Sequence, residues 1–217
     1  MAVWLNTAFA GFDRAVFEFF HLLQVSAGSF FTPFFKAITF LGEGGWFYIV
    51  VGVILLLFKR TRRLGVTMLI ALAIGSLFTN LFIKTAISRP RPYTANDFYA
   101  ECWNLVGATK TGKNSFPSGH TTAVFATTLS WVLCSKNKWR YTGFIFAILM
   151  ASSRLYLFVH YATDIIGGII VGSTMAVIFY FVIKKVFSVL ESHTDNKVAN
   201  FIINASVCDL FNKSKVE

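Results

Sequence analysis

Residues 64–83 read LGVTMLIALAIGSLFTNLFI and carry no charged side chain over their whole length. As a helix rising 1.5 Å per residue, that run is long enough to cross the roughly 30 Å hydrocarbon layer of a bilayer. Residues 165–183, IIGGIIVGSTMAVIFYFVI, repeat the pattern. Working outward, residues 119–134 and 141–159 are apolar enough to span, the latter interrupted by Arg154, and 44–58 becomes long enough if it starts near Leu41. The composition agrees. The 217 residues are 55% hydrophobic and 14% charged, whereas a soluble domain carries about 25% charge. Such a chain excludes disorder, which needs low hydrophobicity and high charge, and three cysteines exclude a disulfide-stapled scaffold. The expected fold class is all-α: a polytopic membrane helical bundle of five to six transmembrane helices.

Three units follow along the chain. Residues 1–43 hold a Phe-rich stretch, 16–40, that also contains Glu18, His21, Gln24, Pro33 and Lys36. It reads either as a broken first span or as amphipathic helices in the interface, the second fitting slightly better. Residues 44–187 form the transmembrane domain, and 188–217 a tail with a short amphipathic helix and a frayed end. The net charge of +10 sits in short clusters between the apolar runs, which points to membrane topology rather than nucleic acid. Alternating spans put Lys59, Arg60, Arg62 and Arg63, then Lys136, Lys138 and Arg140, then Lys184 and Lys185 on one face, expected to be cytoplasmic. Cys102 then falls on the outer face, away from Cys134 and Cys208, so no internal disulfide is expected.

The opposite face collects the chemistry. Charge beside a membrane span is expensive and marks function by default. Between Gly44 and Leu190 the acids are Asp97, Glu101 and Asp164, and Asp164 alone opens a span. His160 lies four residues earlier, so the carboxylate can orient its ring. Phe116-Pro117-Ser118-Gly119-His120 precedes another span. Ser118 suits an N-cap, Gly119 permits close approach to a ligand, and the free N–H groups of a helix start suit an anion. Lys84, Arg91 and Arg154 add three cations, a set that fits a phosphate. Taken singly, Lys84 and Arg91 would read as snorkelling charges, Ser-Gly-His as a cap, and His160 with Asp164 as a structural pair. Their common face makes them a site. Arg89 could face a ligand but reads better as an exposed loop charge, and His21 and His193, which have no partners, read as structural.

These clusters, KTAISRPRP at 84–92, PSGH at 117–120 and SRLYLFVHYATD at 153–164, resemble the three-part signature of the type-2 phosphatidic-acid-phosphatase superfamily. Lys-x6-Arg-Pro, Pro-Ser-Gly-His and Ser-Arg-x5-His-x3-Asp are filled in order with the right internal spacing, and the resemblance spans about residues 64–183. It implies a helical bundle whose motifs meet at the outer membrane face. His160 would be the nucleophile, oriented by Asp164, and His120 the acid and then base. Lys84, Arg91, Ser118, Gly119 and Arg154 would bind the phosphate. Fixed cations can stabilise phosphoryl transfer without a metal, so neither metal nor cofactor is expected. The implied activity is hydrolysis of a lipid phosphate or diphosphate, with undecaprenyl diphosphate ranked before phosphatidic acid and phosphatidylglycerol phosphate. The implied place is the cell membrane, with the site on the extracytoplasmic face. The rival class is a transporter or channel, in which charges would line a pathway; here they gather at one face instead. The oligomeric state is not readable.

Overall fold

The computed structural model describes residues 2–207 and is helical throughout, with no strand among the described residues. In chain order the helices are α1 (Ala2–Ala8), α2 (Ala10–Leu41), α3 (Trp46–Leu56), α4 (Arg62–Leu77), α5 (Lys84–Ile87), α6 (Pro92–Ala95), α7 (Asp97–Leu105), α8 (Gly119–Cys134), α9 (Gly143–Tyr156), α10 (Ala162–Glu191) and α11 (Lys197–Asn204). Cys208 and the expected frayed end lie outside the described residues. Cys102 and Cys134 are free thiols.

The uncharged runs become the longest apolar rods. A π-helical turn, Phe78–Ile83, joins α4 to α5, so that Arg62–Ile87 is one continuous helix. That helix and α10 are long and apolar enough to cross a bilayer; α2 and Glu43–Leu56 reach that standard only as a pair bent by 41°. The expectation of five to six spans is therefore met by two helices, or three with the bent pair. The other expected spans do form α3, α8 and α9, but these helices have 11, 16 and 14 residues, short of the roughly 20 that a span needs. For α3 and α9 the ends of the runs are taken up by turns and 3₁₀ segments, whereas α8 coincides with its expected run of 119–134, which is itself only 16 residues long. Leu81 and Phe82 before α5, and Ile170 and Phe181 on α10, are about 60% exposed, as lipid-facing side chains are.

Close packing of backbones holds α10 against α8. Without a hydrophobic drive between helices in lipid, small residues set the approach. A Cβ built on Gly168 would lie 2.8 Å from the Ser118 carbonyl oxygen, and one on Gly172 only 2.4 Å from that of Thr122. One buried cluster fills the space between α3, α4, α8 and α9, around Tyr48, Met68, Val124 and Met150. A second joins α2 to the end of α9 and its connection to α10, around Phe17, Phe35, Tyr156 and Phe158.

Helix α2 kinks at Ala27, where φ is −147° and ψ is 33°. Phe17 stacks on Phe158 at 4.6 Å, the Gln24 amide donates to the Tyr156 carbonyl at 2.7 Å, and Thr32 meets the Tyr156 hydroxyl at 2.7 Å. His21, expected to stand alone, pairs with Cys102 at 3.2 Å and lies edge-on to Phe98. The whole length of α2 thus follows the end of the bundle that carries the motifs. At the other end, the Arg62 guanidinium donates to the carbonyls of Ile202 and Ala205 and ties α11 to the start of α4.

Candidate active site

Local rules shape each motif. At the end of α5 the backbone turns left-handed at Ser88 (φ 50°), and Pro90 and Pro92 flank Arg91, which stays extended before α6. Ser118 is the N-cap of α8, accepting from the Thr121 N–H at 3.3 Å. The Asp164 carboxylate accepts from the Tyr161 N–H at 2.9 Å and so caps α10. The segments are then sewn together. The Ser115 N–H donates to the Arg89 carbonyl at 2.7 Å, the Asn114 amide to the Lys84 carbonyl at 2.9 Å, and the Ser118 N–H to the Asp164 carbonyl at 3.0 Å.

The result is a cavity of about 590 Å³ lined by Lys84, Arg91, Gly119, His120, Arg154 and His160, with Ile49, Leu69 and Leu72 of α3 and α4 as an apolar wall. Six of the eight expected site residues therefore share one cavity. Asp164 stands behind His160, fully buried, and Ser118 is buried as the cap rather than lining the cavity.

The bonds around His160 assign its tautomer. Arg91 Nη1 lies 2.9 Å from His160 Nε2, and guanidinium nitrogens only donate, so Nε2 accepts and the ring proton sits on Nδ1. Nδ1 in turn faces Asp164 Oδ2 at 3.3 Å. Nε2 is then the lone-pair nitrogen, and it belongs to a residue on the cavity wall. His160 lies in the connection between α9 and α10. Burial first, then the charges of Arg91, Arg154 and Lys84, hold its imidazole well below its ordinary pKa, which keeps the ring neutral.

The remaining groups converge from other elements. Lys84 Nζ donates to Asn80 Oδ1 at 2.9 Å, and Asn80, in the π turn, also lines the cavity. The Arg154 guanidinium donates to the Thr39 hydroxyl, and its Nε has no protein partner. His120 Nε2 is also buried without a protein partner. The ring fits because residue 42 is glycine: a Cβ there would lie 2.7 Å from the His120 ring.

One expectation is overturned. Arg89 is not an exposed loop charge but is fully buried, donating through Nη1 to Asp164 Oδ1 at 2.7 Å and through Nη2 to Asp13 Oδ2 at 2.8 Å. The reason is the fold: α2 and α10 close over the motif-one loop and supply two carboxylates there. Asp13, Thr39 and Asn80 stand around the site without having been singled out by the motifs. An acid inside the apolar run AFAGFDRAVFEFF was the one signal available for Asp13.

The comparisons with known proteins follow this geometry. A family model described as the PAP2 superfamily matches residues 62–188. The chain is 30% identical to an undecaprenyl-diphosphatase of Sulfolobus acidocaldarius, over 75% of this chain and 74% of that protein. It is 26% identical to a lipid A 4'-phosphatase of Bacteroides thetaiotaomicron, over 71% and 72% of the two chains. In fold it is similar to the crystal structure of a transmembrane PAP2 type phosphatidylglycerolphosphate phosphatase from Bacillus subtilis. That match has a TM-score of 0.64 and 22% identity, and covers 85% of this chain and 88% of the other.

Proposed function

The chain belongs to the PAP2 superfamily of membrane lipid phosphatases, and on that premise we propose that it hydrolyses a lipid phosphate through a phosphohistidine formed on His160. The observation that carries this reading is the pair of bonds on one ring: Nδ1 on Asp164 and Nε2 directed at Arg91 on the wall of a cationic cavity. Nε2 attacks phosphorus as the bond to the lipid oxygen breaks. His120 protonates that oxygen, then takes a proton from the water that cleaves the phosphorus–nitrogen bond and regenerates His160. Lys84, Arg91 and Arg154 hold the phosphoryl oxygens, aided by the Gly119 N–H and the α8 start capped by Ser118. Positioning and charge account for most of phosphoryl-transfer catalysis, and these residues supply both without a metal.

The apolar wall beside the cations suits a phosphate on a hydrocarbon tail. The name of the Sulfolobus acidocaldarius relative favours undecaprenyl diphosphate as substrate, ahead of phosphatidic acid and phosphatidylglycerol phosphate. The protein sits in the cell membrane, with α3, α8 and α9 also crossing, the basic clusters in the cytoplasm and the site on the extracytoplasmic face. Residues 44–187 are the catalytic domain, preceded by an N-terminal unit, 1–43, whose helix α2 lies against it at the site end, and the tail that starts at residue 188 is on the cytoplasmic side.

The test is phosphate release by purified protein from a panel of lipid phosphates and diphosphates, in detergent with excess chelator. Turnover is expected to survive the chelator. Loss that magnesium restores would contradict the metal-free mechanism, and no release from any substrate would end the phosphatase reading.

A pH dependence follows from the depressed pKa of His160. Protonation removes the Nε2 lone pair, and an ordinary histidine titrates near about 6.5. Because this ring stays neutral to lower pH, its rate of phosphorylation in rapid-quench measurements is expected to hold or rise as pH drops from 7.5 through 6. A fall with its midpoint near 6.5 would mean that His160 titrates normally.

A further inference from the structure

An ion cluster lies behind the cavity wall, and its residues do not line the cavity. Arg89 is 0% exposed and Asp13 3%. Arg89 spends its donors on four groups: Nε on Asn6 Oδ1 at 2.8 Å, Nη1 on Thr163 Oγ1 at 2.6 Å and on Asp164 Oδ1 at 2.7 Å, and Nη2 on Asp13 Oδ2 at 2.8 Å. Its guanidinium also stacks 3.8 Å over the Tyr161 ring. Asp13 in turn accepts from the Thr163 N–H at 2.9 Å and from the Thr163 hydroxyl. Thr163 and Asp164 are both in the first turn of α10.

Stability alone explains such a cluster poorly. Taking three charges out of water is costly, and apolar replacements of buried ion pairs are often neutral or stabilising. What the cluster does do is divide the two oxygens of Asp164. Arg89 takes Oδ1, which leaves Oδ2 for His160 Nδ1 and the Tyr161 N–H. The carboxylate plane is thereby set, and with it the ring that presents Nε2 to the cavity. Asp13 balances the charge of Arg89 and pins the helix start on which Asp164 rides. Asp13 lies on α2, outside the 62–188 family match.

We propose that Arg89 and Asp13 are positioning residues for the phosphoryl-transfer step: they hold Asp164 so that His160 is aimed at phosphorus, which makes the N-terminal helix α2 a working part of the site. The proposal rests on the phosphohistidine reading above.

The test uses the full chain, with Asp13→Asn, Arg89→Met, Arg89→Lys, the double variant Asp13→Asn/Arg89→Met, and His160→Ala as reference. The readout is the single-turnover rate constant for phosphate release, which does not depend on how many molecules are folded, together with KM. Asp13→Asn keeps the shape and an acceptor for the Thr163 N–H while removing the charge, so it carries the test if Arg89→Met fails to fold. Misplacement of a reacting group by about 1 Å can cost roughly 100-fold. Asp13→Asn and Arg89→Met are expected to slow the step by about that factor with KM unchanged. Arg89→Lys should recover part of the rate, and the double variant should be no slower than the slower single one, since both act through Asp164. Wild-type rate constants in the single variants, or a raised KM with an unchanged rate constant, would overturn the positioning role while an inactive His160→Ala left the phosphohistidine reading standing. An active His160→Ala would end both.

Discussion

Replacing His160 with alanine is expected to abolish turnover, a loss of roughly 10⁴-fold or more, by analogy with the removal of other catalytic nucleophiles. The argument is geometric. The His160 ring is 2% exposed, its Nδ1 is committed to Asp164, and its Nε2 faces Arg91 at 2.9 Å on the wall of the cavity. Among the described residues, His120 is the other imidazole lining that cavity. Among the described residues no carboxylate is paired with His120, so its tautomer is not fixed as that of His160 is, and it is not expected to replace His160. Two measurements separate nucleophile from scaffold. Wild-type protein quenched in alkali after mixing with a ³²P-labelled lipid phosphate should retain label on histidine, because a phosphorus–nitrogen bond survives base and fails in acid. The alanine variant should bind the same lipid and retain none. Turnover near the wild-type rate in that variant would remove the covalent mechanism.

The second large effect is on the fold. Gly172→Leu is expected to destabilise the bundle by about 3 kcal/mol or more, at or beyond the upper end of ordinary overpacking costs. The obstacle is backbone, not a side chain that could swing away: a Cβ at 172 would sit 2.4 Å from the Thr122 carbonyl oxygen and 3.0 Å from the Ala126 nitrogen. Helices α8 and α10 must separate, which also pulls the Ser118 N–H from the Asp164 carbonyl and parts the motif carrying His120 from the one carrying His160. For a domain of this size, 3 kcal/mol corresponds to roughly 6–12 °C in Tm. Gly172→Ala should show a smaller drop in the same direction. Gly11→Ala is the control, since a Cβ there meets nothing within 4 Å. Thermal unfolding in detergent, followed by circular dichroism, checks the series. An unchanged Tm for Gly172→Leu would mean that α8 and α10 are not in backbone contact.

Much of the site was legible because membranes make polar chemistry conspicuous. Lys84, His120 and His160 stand at the ends of apolar runs, Arg154 interrupts one and Arg91 sits between two prolines just beyond another, places where a charge or an imidazole needs a reason. The helices carrying them were legible for the same reason, although α3 and α9 are shorter than their apolar runs, because turns and 3₁₀ segments take up the ends; α8 coincides with its run. Asp13 and Arg89 were not legible in this way. They are 76 residues apart, and each taken alone has the pattern of a surface charge.

What the amino-acid sequence determined by itself is the class of molecule and the kit of groups at one end of it, since hydropathy and motif spacing act locally along the chain. Only the tertiary structure decided that Ser118 serves as a cap, that Gly42 makes room for the His120 ring, and that the N-terminal helix lends a carboxylate to the back of the site. The physical reason is that burial belongs to the assembly. A charge enters the interior only when its partner arrives from another element, and no local pattern records which element that will be.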